Sequence, residues 1–340
     1  MSLTLTDPAP REARLTRALE DGLVLPEEGR IAVLRPRALE RFDPLPAARL
    51  HMITGFRPDH DALAQAGFFT GPTPEGHYAA ALVCLPRAKP AARALIAQAA
   101  GLTDGPVLVD GQKVDGVESV LRELRARVTV SGVVSRAHGK LFWFMPGADR
   151  LADWAAVPHR LDDPMAPGFV TLPGVFSADG VDPGSRLLAG VLPDTPGARV
   201  ADLGAGWGLL AAQVLKRPGV QAVHLIEAEH DALDCARANI HDARAQFHWA
   251  DATACSLPGP VDTVVMNPPF HAGRAARSDL GRAFIAAAAG LLTAKGTLWM
   301  VANRHLPYDA ALAEAFHSAE TVTEDRSYRV WCASQPRKTR

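Results

Sequence analysis

Four consecutive residues, Asn267, Pro268, Pro269 and Phe270, carry the clearest chemical signal in the sequence. An asparagine side-chain oxygen and the Pro268 carbonyl oxygen can together accept both N–H bonds of a planar exocyclic amine, which draws the nitrogen lone pair out of conjugation. Proline fixes φ and so holds that carbonyl in one direction, and the Phe270 ring offers a face for a flat substrate. The motif predicts methyl transfer to such an amine, with Asn267, Pro268 and Phe270 as catalytic residues acting by positioning and electrostatics.

A second signal is the glycine-rich run Asp202–Gly208, which lies between an apolar segment and a helical pattern. Glycines allow the backbone to turn tightly and to approach a ligand closely. A dinucleotide fingerprint, G-x-G-x-x-G, would need its third glycine at position 209, which is Leu209. A carboxylate at Asp202 would repel a pyrophosphate, whereas it suits the cationic amine of a methionine moiety. The run therefore predicts an S-adenosylmethionine site that includes Asp202, Gly204, Ala205, Gly206 and Gly208.

Further acidic residues follow the next two apolar segments at the positions where this cofactor would need them. Glu227 can accept hydrogen bonds from both ribose hydroxyls. Asp251 can accept one from the adenine amino group, and Ala252 can offer a backbone N–H to the ring. Together with Asn267, these residues complete the predicted cofactor site. Trp207 either edges the pocket or packs in the core.

Apolar runs and helical periodicity predict strands that alternate with helices. The site residues lie at the ends of the predicted strands. In the C-terminal half, strands are predicted at Arg199–Leu203, Ala222–Ile226, Gln246–Trp249, Val261–Met266, Thr297–Ala302, Thr321–Glu324 and Tyr328–Ala333. Helices are predicted at Trp207–Lys216, His230–Ile240, Ser278–Ala294 and Tyr308–His317, and one that Asp182 caps and Pro183 begins.

The N-terminal half has a similar cadence and also predicts a mostly parallel sheet. Its strands are predicted at Ile31–Leu34, His51–Ile53, Tyr78–Leu85, Val107–Val109, Val128–Val134 and Lys140–Phe144, and its helices at Ala91–Ala100 and Val114–Arg127. The Pro- and Gly-containing stretch Pro146–Pro173 reads as a connection. The chain is therefore divided into residues 1–150 and residues 151–340.

Composition sets the broad class of the protein. The 340 residues are 48% hydrophobic and 21% charged, which is enough apolar material for two cores. The four cysteines are scattered without a C-x-x-C pair, so the sequence predicts neither a disulfide framework nor a metal site. No signal peptide or membrane-spanning run is recognised, which favours a cytoplasmic protein without a membrane partner. A net charge of −1 provides no long-range attraction for polyanions.

The motifs Asp202–Gly208 and Asn267–Phe270 resemble those of class I methyltransferases that modify exocyclic or amide nitrogens. More narrowly, the segments Asn267–His271, Val301–Tyr308 and Thr171–Ser185 resemble the bacterial ribosomal RNA guanine-N2 methyltransferases. This resemblance implies two tandem class I methyltransferase-like domains, Rossmann-like and seven-stranded, with a degenerate N-terminal copy that lacks a cofactor site. That copy would serve docking or support.

In the N-terminal half the resemblance depends on Pro86–Pro90 and Val107–Ser119 alone. Its first strand also leads into Arg35-Pro36-Arg37, where glycines would be needed to hold a cofactor. The expected substrate is a guanine N2 amine in 16S ribosomal RNA, within the small subunit. The alternatives are a 23S large-subunit enzyme, a protein-glutamine or adenine-N6 methyltransferase, and a non-catalytic cofactor-binding module.

Basic residues beyond the Asn267 motif are candidates for substrate contact. Arg274, Arg277 and Arg282 follow it closely and can bind phosphates, and His271 can contact the base. With Phe270, the residues His271, Arg274 and Arg277 form the predicted substrate site. A guanine within a helix would have to be unpaired or flipped to enter it. Arginines near both chain ends are either solvated charges or further RNA contacts; they are Arg11, Arg14, Arg17, Arg326, Arg329, Arg337 and Arg340, with Lys338.

Overall fold

The computed structural model describes residues 9–147, 149–269 and 274–337. The chain divides into two compact units, Met1–Val157 and Pro158–Arg340. Each unit contains, within its described residues, a seven-stranded mixed sheet with helices packed against it. The expected α/β class with two tandem methyltransferase-like sheets is confirmed.

The first unit is built on one sheet whose central strands are parallel. Its helices are α1 (Pro10–Glu20), α2 (Arg57–Gln65), α3 (Lys89–Leu102) and α4 (Val117–Arg125). Its strands are β1 (Ile31–Leu34), β2 (Leu50–Ile53), β3 (Phe69–Gly71), β4 (Ala80–Cys84), β5 (Val107–Gln112), β6 (Val130–Arg136) and β7 (Gly139–Phe144). They are ordered β3-β2-β1-β4-β5-β7-β6, and β7 runs antiparallel to both of its neighbours.

The second unit repeats this strand order after a short two-stranded sheet of β8 (His159–Arg160) and β9 (Val170–Thr171). Its helices are α5 (Pro183–Val191), α6 (Leu209–Leu215), α7 (His230–Asn239), α8 (Arg274–Leu291) and α9 (Asp309–Ala315). Its main strands are β10 (Arg199–Leu203), β11 (Ala222–Glu227), β12 (Ala245–Trp249), β13 (Val261–Met266), β14 (Leu292–Asn303), β15 (Phe316–Glu324) and β16 (Tyr328–Pro336). Their order is β12-β11-β10-β13-β14-β16-β15.

Helices cover both faces of the second sheet, which explains why its central strands are apolar runs without alternation. One face packs against α5, α6 and α7 through residues such as Val200 and Val265. The other packs against α8 and α9 through residues such as Leu203 and Met266. This burial fixes β10 and β13 at the centre of the unit, where their carboxyl ends carry the predicted motifs.

Most predicted strands and helices are present with shifted ends, and β10 and β13 have the predicted bounds. Asp182 caps α5 as predicted, because its Oδ2 accepts from the backbone N–H of Ser185 at 2.8 Å. The helix predicted at Ser278–Ala294 begins instead at Arg274 and ends at Leu291. It ends early because Leu292 pairs with Val261 in the parallel sheet and buries its side chain there.

The N-terminal arginines lie in helix α1, which the sequence did not predict. Their predicted roles, as solvated charges or RNA contacts, are wrong for two of the three. Arg11 and Arg14 are buried, and both bind Asp110 in β5. The Nε atoms of Arg11 and Arg14 lie 2.7 and 2.6 Å from its two carboxylate oxygens. Arg17 alone is exposed, where it pairs with Asp21 at 2.7 Å. Two of the three arginines therefore hold α1 on the sheet and are neither solvated nor free to bind RNA.

Candidate active site

The predicted cofactor-binding residues lie at one edge of the second sheet. Strands β10, β11, β12 and β13 are hydrogen-bonded neighbours and run parallel, so their carboxyl ends lie at the same edge. Asp202, Glu227, Asp251 and Asn267 lie in or directly after these strand ends. Strand order reverses between β10 and β13, and ligands of open α/β sheets bind in the crevice at such a point.

The glycine-rich loop between β10 and α6 is fastened to the neighbouring strand. The backbone N–H groups of Gly204 and Ala205 donate to the carbonyl of Ile226 at 2.8 and 3.1 Å. Gly206 and Gly208 have φ values of 55° and 94°, which disfavour any residue with a side chain. A Cβ on Gly208 would lie 2.8 Å from Ile240, whereas one on Gly206 would meet nothing within 4 Å. Gly208 thus permits helix packing, and Gly206 leaves space beside the loop.

Glu227 connects the glycine loop to the next strand. Its Oε2 accepts from the N–H of Gly206 and its Oε1 from the N–H of Glu229, each at 2.8 Å. Burial raises the pKa of this carboxyl above its ordinary value, although these backbone bonds oppose the shift. A carboxylate offers about four acceptor positions, so each oxygen retains a position for one ribose hydroxyl.

Asp202 is a buried carboxyl near the end of β10. Its side chain is fully buried, its Oδ2 accepts from the N–H of Ala211 in α6 at 2.9 Å, and its Oδ1 has no partner among the described residues. Burial raises the pKa of this carboxyl to about 7, and the nearby Glu227 adds to the effect. In this structure Asp202 holds the start of α6 against β10. Its contact with the cofactor amine stays a prediction.

Asp251 and Ala252 follow β12 at the same edge. The Oδ1 of Asp251 accepts from both the N–H and the Oγ1 of Thr253, at 2.8 and 2.7 Å, which shapes a tight turn. Ala252 is buried in the core beneath α8. Both residues follow β12 at the edge of the sheet that carries the glycine loop, and their bonds to adenine stay predictions.

Asn267 has the most informative geometry in the site. Its Nδ2 donates to Asp182 Oδ2 at 2.9 Å and to Ser185 Oγ at 2.8 Å, so both amide hydrogens are used. Its Oδ1 is buried and has no hydrogen-bond partner within the described part of the chain. Buried acceptors are normally paired, so an unpaired one needs an explanation. Pro268 beside it is also buried. The bond from a substrate amine to this oxygen stays a prediction.

The sequence analysis did not identify Asp182 and Ser185 as neighbours of Asn267. The structure also does not describe the side chains of four predicted substrate residues. Asp182 was interpreted only as a helix cap, and Ser185 only as part of a resembling segment. Phe270 and His271 lie outside the described residues, as do the side chains of Arg274 and Arg277; Arg282 is exposed on α8.

Trp207 belongs to the core of the second unit, so the packing interpretation holds. Its side chain is 4% exposed and meets Phe169 edge to face, with the ring centres 6.1 Å apart. Its Nε1 donates to the carbonyl of Phe176 at 3.1 Å, and Asn239 Nδ2 donates to the carbonyls of Trp207 and Val170, each at 3.0 Å. These bonds attach the segment before α5 to the glycine loop.

The sequence predicts neither a membrane span nor a metal site. No helix in the described ranges combines the length and apolarity of a membrane span. Within the same ranges, no group of three or more His, Cys, Asp and Glu side chains is arranged to hold a metal ion.

Comparison with known proteins identifies the family. The family model described as "Methyltransferase small domain" matches residues 167–332. A Shewanella sp. (strain MR-4) protein named "Ribosomal RNA small subunit methyltransferase C" is 32% identical over 270 residues, which cover 76% of this chain and 78% of the relative. The chain belongs to the ribosomal RNA small subunit methyltransferase C family. A Pseudomonas paraeruginosa member is 31% identical over 77% of this chain and 81% of its own.

A solved structure of a similar protein agrees with the fold of this family member. It is the T. thermophilus "16S rRNA N2 G1207 methyltransferase (RsmC) in complex with AdoMet and Guanosine". It matches with a TM-score of 0.75 and covers 96% of this chain and 94% of its own, at 24% identity. The resemblance drawn from the motifs is confirmed, and the relatives carry the name of the small-subunit enzyme that the sequence favoured.

Proposed function

We propose that the protein transfers the methyl group of S-adenosylmethionine to the N2 amine of a guanine in 16S ribosomal RNA. The observation that carries this proposal is the Asn267 amide, whose hydrogens are both bound and whose buried oxygen is unpaired. An acceptor held in this way suits a substrate that brings N–H groups. The names of the family members support ribosomal RNA as substrate, and the similar T. thermophilus protein, a complex with AdoMet and guanosine, supports guanine and this cofactor.

The cofactor would lie along the crevice between β10 and β13. Glu227 would accept from the ribose hydroxyls, Asp251 and Ala252 would bind adenine, and Gly206 would let the cofactor approach the loop. Asp202 would stabilise the cationic methionine end. When bound, the cofactor supplies the electrophilic methyl group, and this chemistry needs no metal ion.

The target base would be oriented by acceptors and held by contacts with its flat face. Asn267 Oδ1 and the Pro268 carbonyl would accept the two N2 hydrogens, so that the lone pair of the nitrogen faces the methyl group. Phe270 would stack on the base and His271 would contact it. Neighbouring phosphates would be bound by Arg274 and Arg277, together with the exposed Arg282. The base would enter unpaired or flipped.

The N-terminal unit is proposed as a degenerate copy that either docks the RNA or supports the fold. After β1 the chain continues as Arg35-Pro36-Arg37, without the glycines of the second unit. The equivalent crevice is a cavity of about 260 Å³ in which Arg11 and Arg14 bind Asp110. The arginine side chains and their bound carboxylate line this cavity, which supports the proposal that the first unit holds no cofactor.

The same cavity supports a docking role. Arg37 and Arg41 line it and are exposed. Such side chains can bind phosphate groups without reading sequence. The proposed partner is ribosomal RNA within the small subunit. Because bacterial ribosomes are cytoplasmic, the proposed location of the protein is the cytoplasm.

The substrate proposal is tested by offering radiolabelled S-adenosylmethionine together with small subunits, large subunits, naked ribosomal RNA or a peptide-release factor. Label in 16S RNA of the small subunit is expected. Label in 23S RNA would shift the assignment to the large subunit, and label in protein would contradict the RNA substrate altogether. Absence of transfer to any of them, with cofactor bound, would favour a non-catalytic module.

A further inference from the structure

The start of α5 reaches the proposed catalytic amide from a distant part of the chain. Asp182 and Asn267 are 85 positions apart, yet the Oδ2 of Asp182 accepts one amide hydrogen of Asn267 at 2.9 Å. Ser185 Oγ accepts the other at 2.8 Å. The same Asp182 oxygen accepts from the backbone N–H of Ser185 at 2.8 Å, so it joins the helix cap to the site.

Ser185 and Asp182 differ in which orientations of the Asn267 amide they permit. A serine hydroxyl both donates and accepts, so it would tolerate either orientation of the asparagine amide. An ionised carboxylate only accepts. A flipped amide would place Asn267 Oδ1 against Asp182 Oδ2, two acceptors without a hydrogen between them, and would direct the NH2 group toward the substrate amine. Asp182 therefore excludes the orientation in which Asn267 would repel its substrate.

We propose that Asp182 is a positioning residue that holds the Asn267 amide with its oxygen toward the target amine. This inference rests on the proposed function, in which that oxygen accepts from guanine N2. The charge of Asp182 has a second effect, because an N–H donated to a carboxylate forms a charge-assisted bond, about twice as strong as a neutral one. Such a bond polarises the amide and makes Oδ1 a better acceptor in a site of low dielectric constant.

The position of Asp182 is itself fixed by close packing. Asp182 is 6% exposed, and α5 is pressed so closely onto β16 that a Cβ on Gly184 would lie 2.7 Å from the Tyr328 ring. That same Cβ would lie 3.1 Å from Asp182 Oδ2. Only a residue without a side chain fits between the ring and the carboxylate, and the N–H of Ser185 holds that carboxylate in place at 2.8 Å.

The test uses substitutions that keep the helix cap. Asp182→Ser retains a good N-cap but its side chain is too short to reach Asn267. Asp182→Asn retains an acceptor of the same length and removes the charge. Ser185→Ala removes the second contact and leaves the carboxylate in place. Asp179→Asn, at an exposed acid three positions earlier, is the matched control.

Turnover of small subunits at saturating cofactor, cofactor affinity by calorimetry and melting temperature are measured for each full-length variant. For Asp182→Ser we expect kcat to fall about ten- to hundredfold, the range for a lost hydrogen bond to a charged group. Cofactor Kd should stay within about twofold of wild type, because this residue acts on the substrate side. Asp182→Asn and Ser185→Ala should lose less, and Asp179→Asn nothing.

A double-mutant cycle with Asn267→Ala separates positioning from a general structural role. If Asp182 acts through Asn267, Asp182→Ser should lower kcat no further in the Asn267→Ala background. An equal loss in both backgrounds, wild-type kcat in Asp182→Ser, or a parallel loss of cofactor affinity would each overturn the inference. Wild-type turnover in Asn267→Ala alone would instead refute the proposed function and, with it, the premise of the cycle.

Discussion

Replacement of Asp202 by asparagine is predicted to stabilise the protein at pH 8. Asp202 is fully buried, and only one of its oxygens has a hydrogen-bond partner among the described residues. Burial raises its pKa from 3.8 to about 7, so above pH 7 the folded chain holds an uncompensated buried charge. Asparagine has nearly the same shape and can still accept from Ala211, but it never ionises.

The magnitude follows from the difference between the two pKa values. Between pH 4 and pH 7 the unfolded chain has ionised Asp202 while the folded chain retains its proton, so stability falls as pH rises. The two pKa values, 3.8 and about 7, differ by about 3, and each pKa unit corresponds to about 1.4 kcal/mol. The buried charge therefore costs on the order of 4 kcal/mol of stability at pH 8. For a unit of this size that corresponds to about 10 °C in melting temperature.

Thermal unfolding of the full-length variants from pH 5 to pH 8, without cofactor, measures this effect. The transition that added S-adenosylmethionine raises in the wild type marks the cofactor-binding unit. We expect Asp202→Asn to raise that transition at pH 8, with the gain shrinking toward pH 5. Asp179→Asn, at an exposed acid, should show no such trend. A gain that is absent, or equal at both pH values, would refute the reasoning from burial.

Three further comparisons of variants test separate parts of the structure. Glu227→Ala should weaken cofactor binding by about 1.5–3 kcal/mol in calorimetry, whereas Asn267→Ala should leave it intact and lower turnover; equal losses of affinity would show that the roles are wrongly assigned. Gly208→Ala should destabilise the second unit by at least about 1–2 kcal/mol, because φ is 94°, while Gly190→Ala in α5 should be tolerated; similar melting temperatures would contradict the packing argument. Asp110→Ala should lower the stability of the first unit by about 3–5 kcal/mol without changing cofactor affinity, and an unchanged melting curve would be inconsistent with a buried ion pair.

The strands and the first helix cap of the second unit could largely be predicted, because they depend on residues that are close together in the sequence. Strands β10 and β13 are buried apolar runs ended by glycine or by Asn267-Pro268, so pattern and punctuation agree on their bounds. The cap at Asp182 was readable for the same reason, since the chain there continues with proline at the first helical position. Each of these features depends on residues within a few positions of one another.

Features that depend on distant residues were not predictable. Helix α1 is rich in arginine and reads as a solvated segment, yet Arg11 faces inward to Asp110, which is 99 positions away. The link between Asp182 and Asn267 also joins residues far apart in sequence. Sequence patterns reflect residues that are neighbours along the chain, whereas a buried ion pair or amide contact exists only once the sheet has brought its partners together.

The central claim, methyl transfer to guanine N2, is tested most directly by identifying the modified nucleoside. Small subunits from a strain that lacks this enzyme are incubated with the protein and isotopically labelled S-adenosylmethionine, and their 16S RNA is hydrolysed to nucleosides for mass spectrometry. We predict that the label elutes and fragments as N2-methylguanosine, and that the Asn267→Ala variant yields far less of it. Label in methyladenosine, in a guanosine methylated at another atom, or in undiminished amounts with Asn267→Ala would contradict this claim.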